Sequence, residues 1–165
     1  RAIMDNLVVT SENARKISGN AKNISGKINN IMNGNADLGM SVSGELLYNT
    51  KKDDFSPNIF LKAGKDSYGL FGIESVGNDP VYDAMFGRMK GIGVHAGIIR
   101  NKLGIGADYE KKKWKFSADL FDPNDLALRI RGTYDLGDNV FVIGQSILPH
   151  SKTGGGEYLG LGYNY

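Results

Sequence analysis

The sequence predicts a mainly β fold: an up-and-down antiparallel transmembrane β-barrel of about 8–10 strands, preceded by an N-terminal amphipathic heptad helix. Three observations predict it. Up to about residue 33, apolar residues recur at alternating spacings of four and three, the signature of a helical seam. From Asp37 onward the period falls to two, and hairpin-length turn signals divide the runs. Bulky apolar residues share one face of these runs, while glycine and serine crowd the other.

The helix, over residues 1–34, comes first. Its seam holds Ile3, Leu7, Ala14, Ile17, Ala21, Ile24, Ile28 and Ile31, with Thr10 between the second and third. "ISGNAKN" at 17–23 is followed by the near-copy "ISGKINN" at 24–30. Gly19, Gly26 and the intervening Ser and Asn are weak helix formers. The stripe therefore needs a partner. A homo-oligomeric coiled coil suits the strict seven-residue repeat better than packing against its own domain. "NGN" at 33–35 is the expected stop.

The barrel is expected over 37–165. Strand candidates run at 38–50, 57–65, 67–76, 89–100, 102–110, 113–121, 126–136, 139–148 and 156–165. "KKDD", "GKDS", "RNK", "DPND" and "LGDN" supply turns, and residues 77–88 read as the one extended loop. Bacterial membrane barrels carry even strand numbers. A tenth strand has room in "VYDAMFG" at 81–87.

The faces decide between two barrels. Leu126, Leu128, Ile130, Tyr134 and Leu136 oppose Arg129, Arg131, Thr133 and Asp135; Trp114, Phe116, Ala118 and Leu120 oppose Lys115, Ser117 and Asp119. A soluble barrel turns its bulky apolar face inward, and a membrane barrel turns it to lipid. A core built on Gly and Ser would be underfilled, which favours the second. Tyr48, Tyr109, Trp114, Tyr134, Tyr163 and Tyr165 fall near strand ends, where interfacial girdles sit.

Inward charges should pair across strands. Folding "SADLFDPNDLALRIR" about its turn sets Asp119 opposite Arg129 and Ser117 opposite Arg131, and Asp108 is expected to face Lys115. Several strands are apolar on both faces. Parity with Lys62, Glu74, His95 and Ser146 turns Phe60, Leu70, Ile99, Val140 and Val142 inward, joined by Phe121. These form an apolar lumen stripe, either a slide for acyl chains or the ordinary packing of a small barrel.

Composition excludes other classes. Cysteine is absent and the net charge is +2, so neither a disulfide framework nor nucleic-acid binding is indicated. No apolar run reaches the roughly 18 residues of a membrane helix. The chain begins at Arg1 without a signal pattern and reads as a mature chain or a piece of a longer one. A lone inward His95 reads as a hydrogen-bonded interior residue, and His150 sits in a loop. Asp122 and Asp125 of "DPND" offer two carboxylates, far short of the roughly 6–8 oxygens usual in a Ca²⁺ site, and read as an Asx-type turn. Ser117, Asp119 and His95 could in principle converge, but no spacing recommends them. No catalytic residue, metal or cofactor is expected.

The final strand, "EYLGLGYNY", sets Leu159, Leu161, Tyr163 and Tyr165 against Gly160 and Gly162. Tyr158, Gly160, Tyr163 and Tyr165 resemble the C-terminal signal of bacterial outer-membrane barrels, with Tyr158 departing from its usual polar residue. Together with "INNIMNGNADLG" and the "ADLFDPND" hairpin, the chain resembles the C-terminal region of barrel-carrying MCE-family, MlaD-like lipid-transport proteins of diderm bacteria. That resemblance implies the outer-membrane end of a trans-envelope phospholipid transporter: a homohexamer around an apolar conduit, an inner-membrane ABC transporter as partner, and a periplasmic helix. Two alternatives stay open. One is a soluble lipocalin-like barrel binding a small apolar ligand; the other is an outer-membrane barrel enzyme that modifies lipids.

Overall fold

The structure is a computed structural model that describes residues 39–165 continuously and, before them, residues 4–5, 8–9, 11–13, 15–16, 19–20, 22–23 and 26. Those earlier positions are helical and exposed. The seam residues Ile3, Leu7, Ala14, Ile17, Ala21, Ile24, Ile28 and Ile31, and with them the expected heptad seam and coiled coil, lie outside the described residues.

Ten strands follow in order: β1 (Ser41–Asn49), β2 (Asp54–Gly64), β3 (Ser67–Glu74), β4 (Val81–Lys90), β5 (Ile92–Ile99), β6 (Lys102–Lys111), β7 (Trp114–Phe121), β8 (Ala127–Gly137), β9 (Val140–Leu148) and β10 (Gly156–Asn164). Each pairs antiparallel with its neighbour in sequence, and β10 pairs back onto β1 from Ser43↔Asn164 to Asn49↔Tyr158. The sheet is closed, so no edge is left to template aggregation. Two hairpins owe their tightness to side chains that tolerate the left-handed region. Arg100 and Asn101 have φ of 50° and 66°, and Asp138 and Asn139 have 52° and 65°, the conformation a two-residue turn needs to match strand twist.

One expectation fails here. Residues 77–88, read as a long loop, contain most of β4. "NDP" and the glycine at 87 mimic turn signals, yet Tyr82, Ala84 and Phe86 alternate against Asp83, Met85 and Gly87. The separate candidate at 89–100 is split by a turn at Gly91, whose φ is 80°. The strand count becomes ten and even, with the tenth strand where "VYDAMFG" at 81–87 left room for it.

The two ends of the barrel differ. At one end lie both ends of the strand array and the short connections at 65–66, 91, 112–113 and 138–139. At the other lie the longer ones, including 75–80, 122–126 and 149–155. The interior near the longer loops is filled by Leu47, Ile99, Phe121, Ala127, Ile147 and Tyr158, with Met85 and Ile143 above them. This plug closes one end, and the lumen is open at the other.

Polarity is inverted relative to a soluble core. The outer wall carries Phe86 at 81 %, Leu103 at 64 % and Leu159 at 63 % exposure, with Ile92, Val94, Ile105 and Leu161 similarly bare. Glu45, Glu74, Asp83, Asp108, Asp119 and Arg129 are buried inside. Aromatic rings mark both rims of the outer wall. Trp114 packs with Tyr134 at 4.7 Å between ring centroids and Tyr163 with Tyr165 at 4.9 Å near the short-turn end, while Tyr48 and Phe55 meet at 5.0 Å near the other.

Candidate functional site

The site is assembled from the inward faces. Strand periodicity sends every second residue into the lumen, and the register aligns the polar ones side by side. Asp119 on β7 stands opposite Arg129 on β8, and Ser117 stands opposite Arg131. Arg129 Nε donates to Asp119 Oδ2 at 2.7 Å. The other Asp119 oxygen lies 2.6 Å from His95 Nε2, and His95 Nδ1 lies 2.8 Å from Asp108 Oδ2. Tyr68 donates its hydroxyl to that same Asp108 oxygen at 3.0 Å. Arg129 also pairs with Glu74, which in turn pairs with Arg100.

A continuous belt thus joins β3, β5, β6, β7 and β8. Both His95 nitrogens meet carboxylates, and both can donate only in the protonated ring. The belt depends on Gly106 between β5 and β7: a Cβ there would lie 2.2 Å from His95 Nε2 and 2.3 Å from Asp119 Oδ1. A second, shorter belt links β1, β2, β8 and β9. Arg131 pairs with Glu45 and donates to Gln145 Oε1 at 3.2 Å, and Asn58 Nδ2 donates to Glu45 Oε2 at 3.4 Å.

Above the plug the lumen opens into a cup of about 510 Å³. Phe60, Leu70, Met85 and Phe141 supply apolar lining, and Lys62, Lys112, Lys113 and Lys115 join Arg129, Arg131 and His95 as its basic groups. Phe60 lies flat against β3 because position 72 is glycine; a Cβ there would come within 2.4 Å of the ring.

The expected lumen stripe divides. Phe60 and Leu70 line the cup, whereas Ile99 and Phe121 belong to the plug. Val140 and Val142 are a correction. Phe141 pairs with Gly162 and Ile143 with Gly160, and Phe141 lines the cup while Ile143 is buried in the plug. Alternation therefore puts Val140 and Val142 on the outer wall. Ser146, used to set the parity, is an outward polar residue near the strand end that donates to Glu157 Oε1 at 2.9 Å. The neighbouring Gln145 is the true inward polar group.

Asp108 and Lys115 are a second correction. The register sets Asp108 opposite Ser117, and Lys115 opposite Glu110. The ammonium of Lys115 lies 3.2 Å from Glu110. Sequence reasoning missed Glu74, Arg100 and Glu45 as belt members, and Asp83, whose Oδ1 accepts from the Arg100 amide at 2.9 Å and lies 3.9 Å from Arg129. Asp83 was hidden in the supposed loop, although its alternation with Tyr82 and Ala84 was a usable signal.

At the terminus, Tyr163 and Tyr165 meet edge to face on the outer side, whereas Tyr158 is buried inside and donates to Gly154 O at 2.6 Å. Gly160 lets the β10 backbone lie against Leu47, whose Cδ2 would be 2.6 Å from a Cβ.

The Ser117–Asp119–His95 grouping does not form a triad. His95 has both nitrogens committed to Asp108 and Asp119, leaving neither to activate Ser117. Among the described residues no cluster of three or more His, Asp or Glu could hold a metal. The "DPND" carboxylates are instead a latch for the last loop. Lys152 Nζ lies 2.7 Å from Asp122 Oδ2 and 3.0 Å from Asp125 Oδ2. Its hydrogen bond holds the Asp122 carboxyl below the usual range, and the same bond raises Lys152.

A family model described as a lipocalin-like domain matches residues 74–151, just under half of the chain. No curated protein and no solved structure matches. The family match overturns the expected membership of the MCE family. The features that carried that resemblance were a helical leader, a polar hairpin and an aromatic closing strand. The hexameric conduit, the ABC transporter partner and trans-envelope phospholipid transport came with the resemblance and are withdrawn with it.

Proposed function

We propose that this chain is a ligand-binding barrel that spans a membrane, closed at one end by its plug and open at the other as a cup. One observation carries the membrane part: the outer wall is apolar around the barrel, while Glu45, Glu74, Asp83, Asp108, Asp119 and Arg129 are buried in the interior beside the plug. Monomeric soluble proteins rarely expose contiguous apolar patches above a few hundred Å². A lipid-facing wall resolves that exposure. The even strand number, strands of eight to eleven residues, short turns at one end and aromatic rims support the same conclusion. No helix among the described residues is long and apolar enough to cross a membrane, which says nothing of a β-barrel. The proposed location is a bacterial outer membrane, with the cup and the short turns on the periplasmic side.

The binding part rests on the plug and the cup. A pore needs a continuous aqueous path, and Leu47, Ile99, Phe121 and Ile147 fill the far end. A concave space lined by apolar groups and a few convergent polar ones suits a small ligand.

That match favours a second account, a soluble lipocalin-like barrel holding a small apolar ligand. One experiment separates the two. If the barrel spans a membrane, the expressed chain stays with membranes through an alkaline carbonate wash and migrates faster on SDS gels before boiling than after. A chain that remains a compact monomer in detergent-free buffer would establish the soluble account instead.

A further inference from the structure

We propose that the cup binds a single-chain amphiphile with an anionic head, held by Lys62 and the lysines at the mouth, with its tail over Phe60, Leu70, Met85 and Phe141. The proposal rests on the cup being a ligand site.

Charge pairing at the cup leaves a cationic remainder. Arg131 pairs with Glu45, Arg129 with Asp119, His95 with Asp108 and Lys115 with Glu110. What is left of the charged lining is Lys62, Lys112 and Lys113 against Asp135. Asp135 is already an acceptor, its Oδ1 lying 2.8 Å from the Gly137 amide.

Lys62 is the informative member. It projects into the lumen half-buried, with its ammonium 4.4 Å from the centroid of the Tyr68 ring. No carboxylate among the described residues lies within ion-pairing distance of it. A partly desolvated ammonium held only by an aromatic face attracts an anion.

The opposite requirement comes from the floor. Leu70 and Phe141 pack on the plug beside Met85, so the bottom of the cup is apolar. A purely polar anion would leave that floor wetted, and a purely apolar molecule would leave the lysines unpaired. An amphiphile satisfies both. The cup's size, about 510 Å³, falls within the range of about 300–1,000 Å³ for small-molecule sites.

The recognised chemistry is an anionic oxygen head, whether from free phosphate or from an acyl-chain headgroup. The test titrates the full chain in lipid nanodiscs with three probes: octyl phosphate, inorganic phosphate and octyltrimethylammonium. The readout is the ¹³C-methyl NMR signal of Met85, assigned through Met85→Leu. Octyl phosphate is expected to shift the signal saturably, with the other two probes at least tenfold weaker. Lys62→Gln should weaken octyl phosphate about tenfold or more, and the turn variant Lys112→Gln/Lys113→Gln, outside the packed lumen, about threefold.

Equal binding of the ammonium probe would overturn the anionic head while leaving the cup as a site. Inorganic phosphate binding as tightly as octyl phosphate would overturn the tail wall. Unchanged affinity in both lysine variants would overturn the assigned head contacts. No saturable shift with any probe would remove the proposal and the reading of the cup as a ligand site together.

Discussion

Asp119 accepts from Arg129 Nε at 2.7 Å with one oxygen and meets His95 Nε2 at 2.6 Å with the other, so a single carboxylate couples β5, β7 and β8. Removing its charge leaves a guanidinium and an imidazolium in the lumen without it. Breaking a buried pair from one side costs about 3–5 kcal/mol. Asp119→Asn should therefore destabilise the barrel by roughly that amount, and by more than Asp122→Asn in the loop. Urea unfolding in micelles, followed by the gel-mobility shift, measures both. Equal losses would contradict the belt's importance.

Gly106 tests the same belt without touching a charge. A Cβ there collides with both members of the His95–Asp119 contact. Overpacking a well-filled interior costs about 1–3 kcal/mol. Gly106→Ala should fall in that range of about 1–3 kcal/mol, whereas Gly144→Ala, where a Cβ meets nothing within 4 Å, should be nearly silent. The same unfolding assay compares them.

The orientation of β9 is checked by two neighbouring lysine substitutions. Val142→Lys puts a charge on the outer wall, where a lipid-facing lysine costs up to about 2–4 kcal/mol. Phe141→Lys puts it into the open cup, where assembly should survive and octyl phosphate binding should change. If Val142→Lys assembles normally and Phe141→Lys does not, β9 is reversed.

The loop latch should respond to acid in one direction. Asp122 is held below the usual carboxylate range by Lys152, so the latch contributes fully above that range. It is lost as pH falls through the depressed value. Hydrogen exchange of residues 149–155 should accelerate in that acid window. In Lys152→Met it should be fast already at neutral pH, with little further dependence on that group.

Much of the barrel is legible in the sequence because the period-two alternation runs nearly unbroken. Asp119 opposite Arg129 follows from counting residues across "DPND". What defeats sequence reading is local. In β4, Asp79-Pro80 and Gly87 look like punctuation, although Gly87 is a lumen position on which the Tyr68 ring lies, with its nearest atom 2.4 Å from a would-be Cβ. In β9, "VFVIGQSI" offers apolar residues on both faces, and Ser146 and Gln145 are polar neighbours of opposite orientation. Only the pairing of Phe141 with Gly162 decides between them. The partners of Asp108 were beyond reach because Tyr68 and His95 are 40 and 13 residues away in sequence. His95 stands diagonally across the β5–β6 pair, whereas Tyr68 on β3 reaches Asp108 only across the curved lumen.

The central claim is that the outer wall faces lipid, and Trp114 reports on it directly. It is the only tryptophan of the chain, 49 % exposed, and it packs with Phe116 and Tyr134 at the short-turn rim. Reconstitution into vesicles whose acyl chains carry bromine at graded depths should quench its fluorescence, most strongly for bromines close to the interface. Emission indifferent to brominated lipid at every depth, from a folded chain recovered with the aqueous phase, would contradict the account.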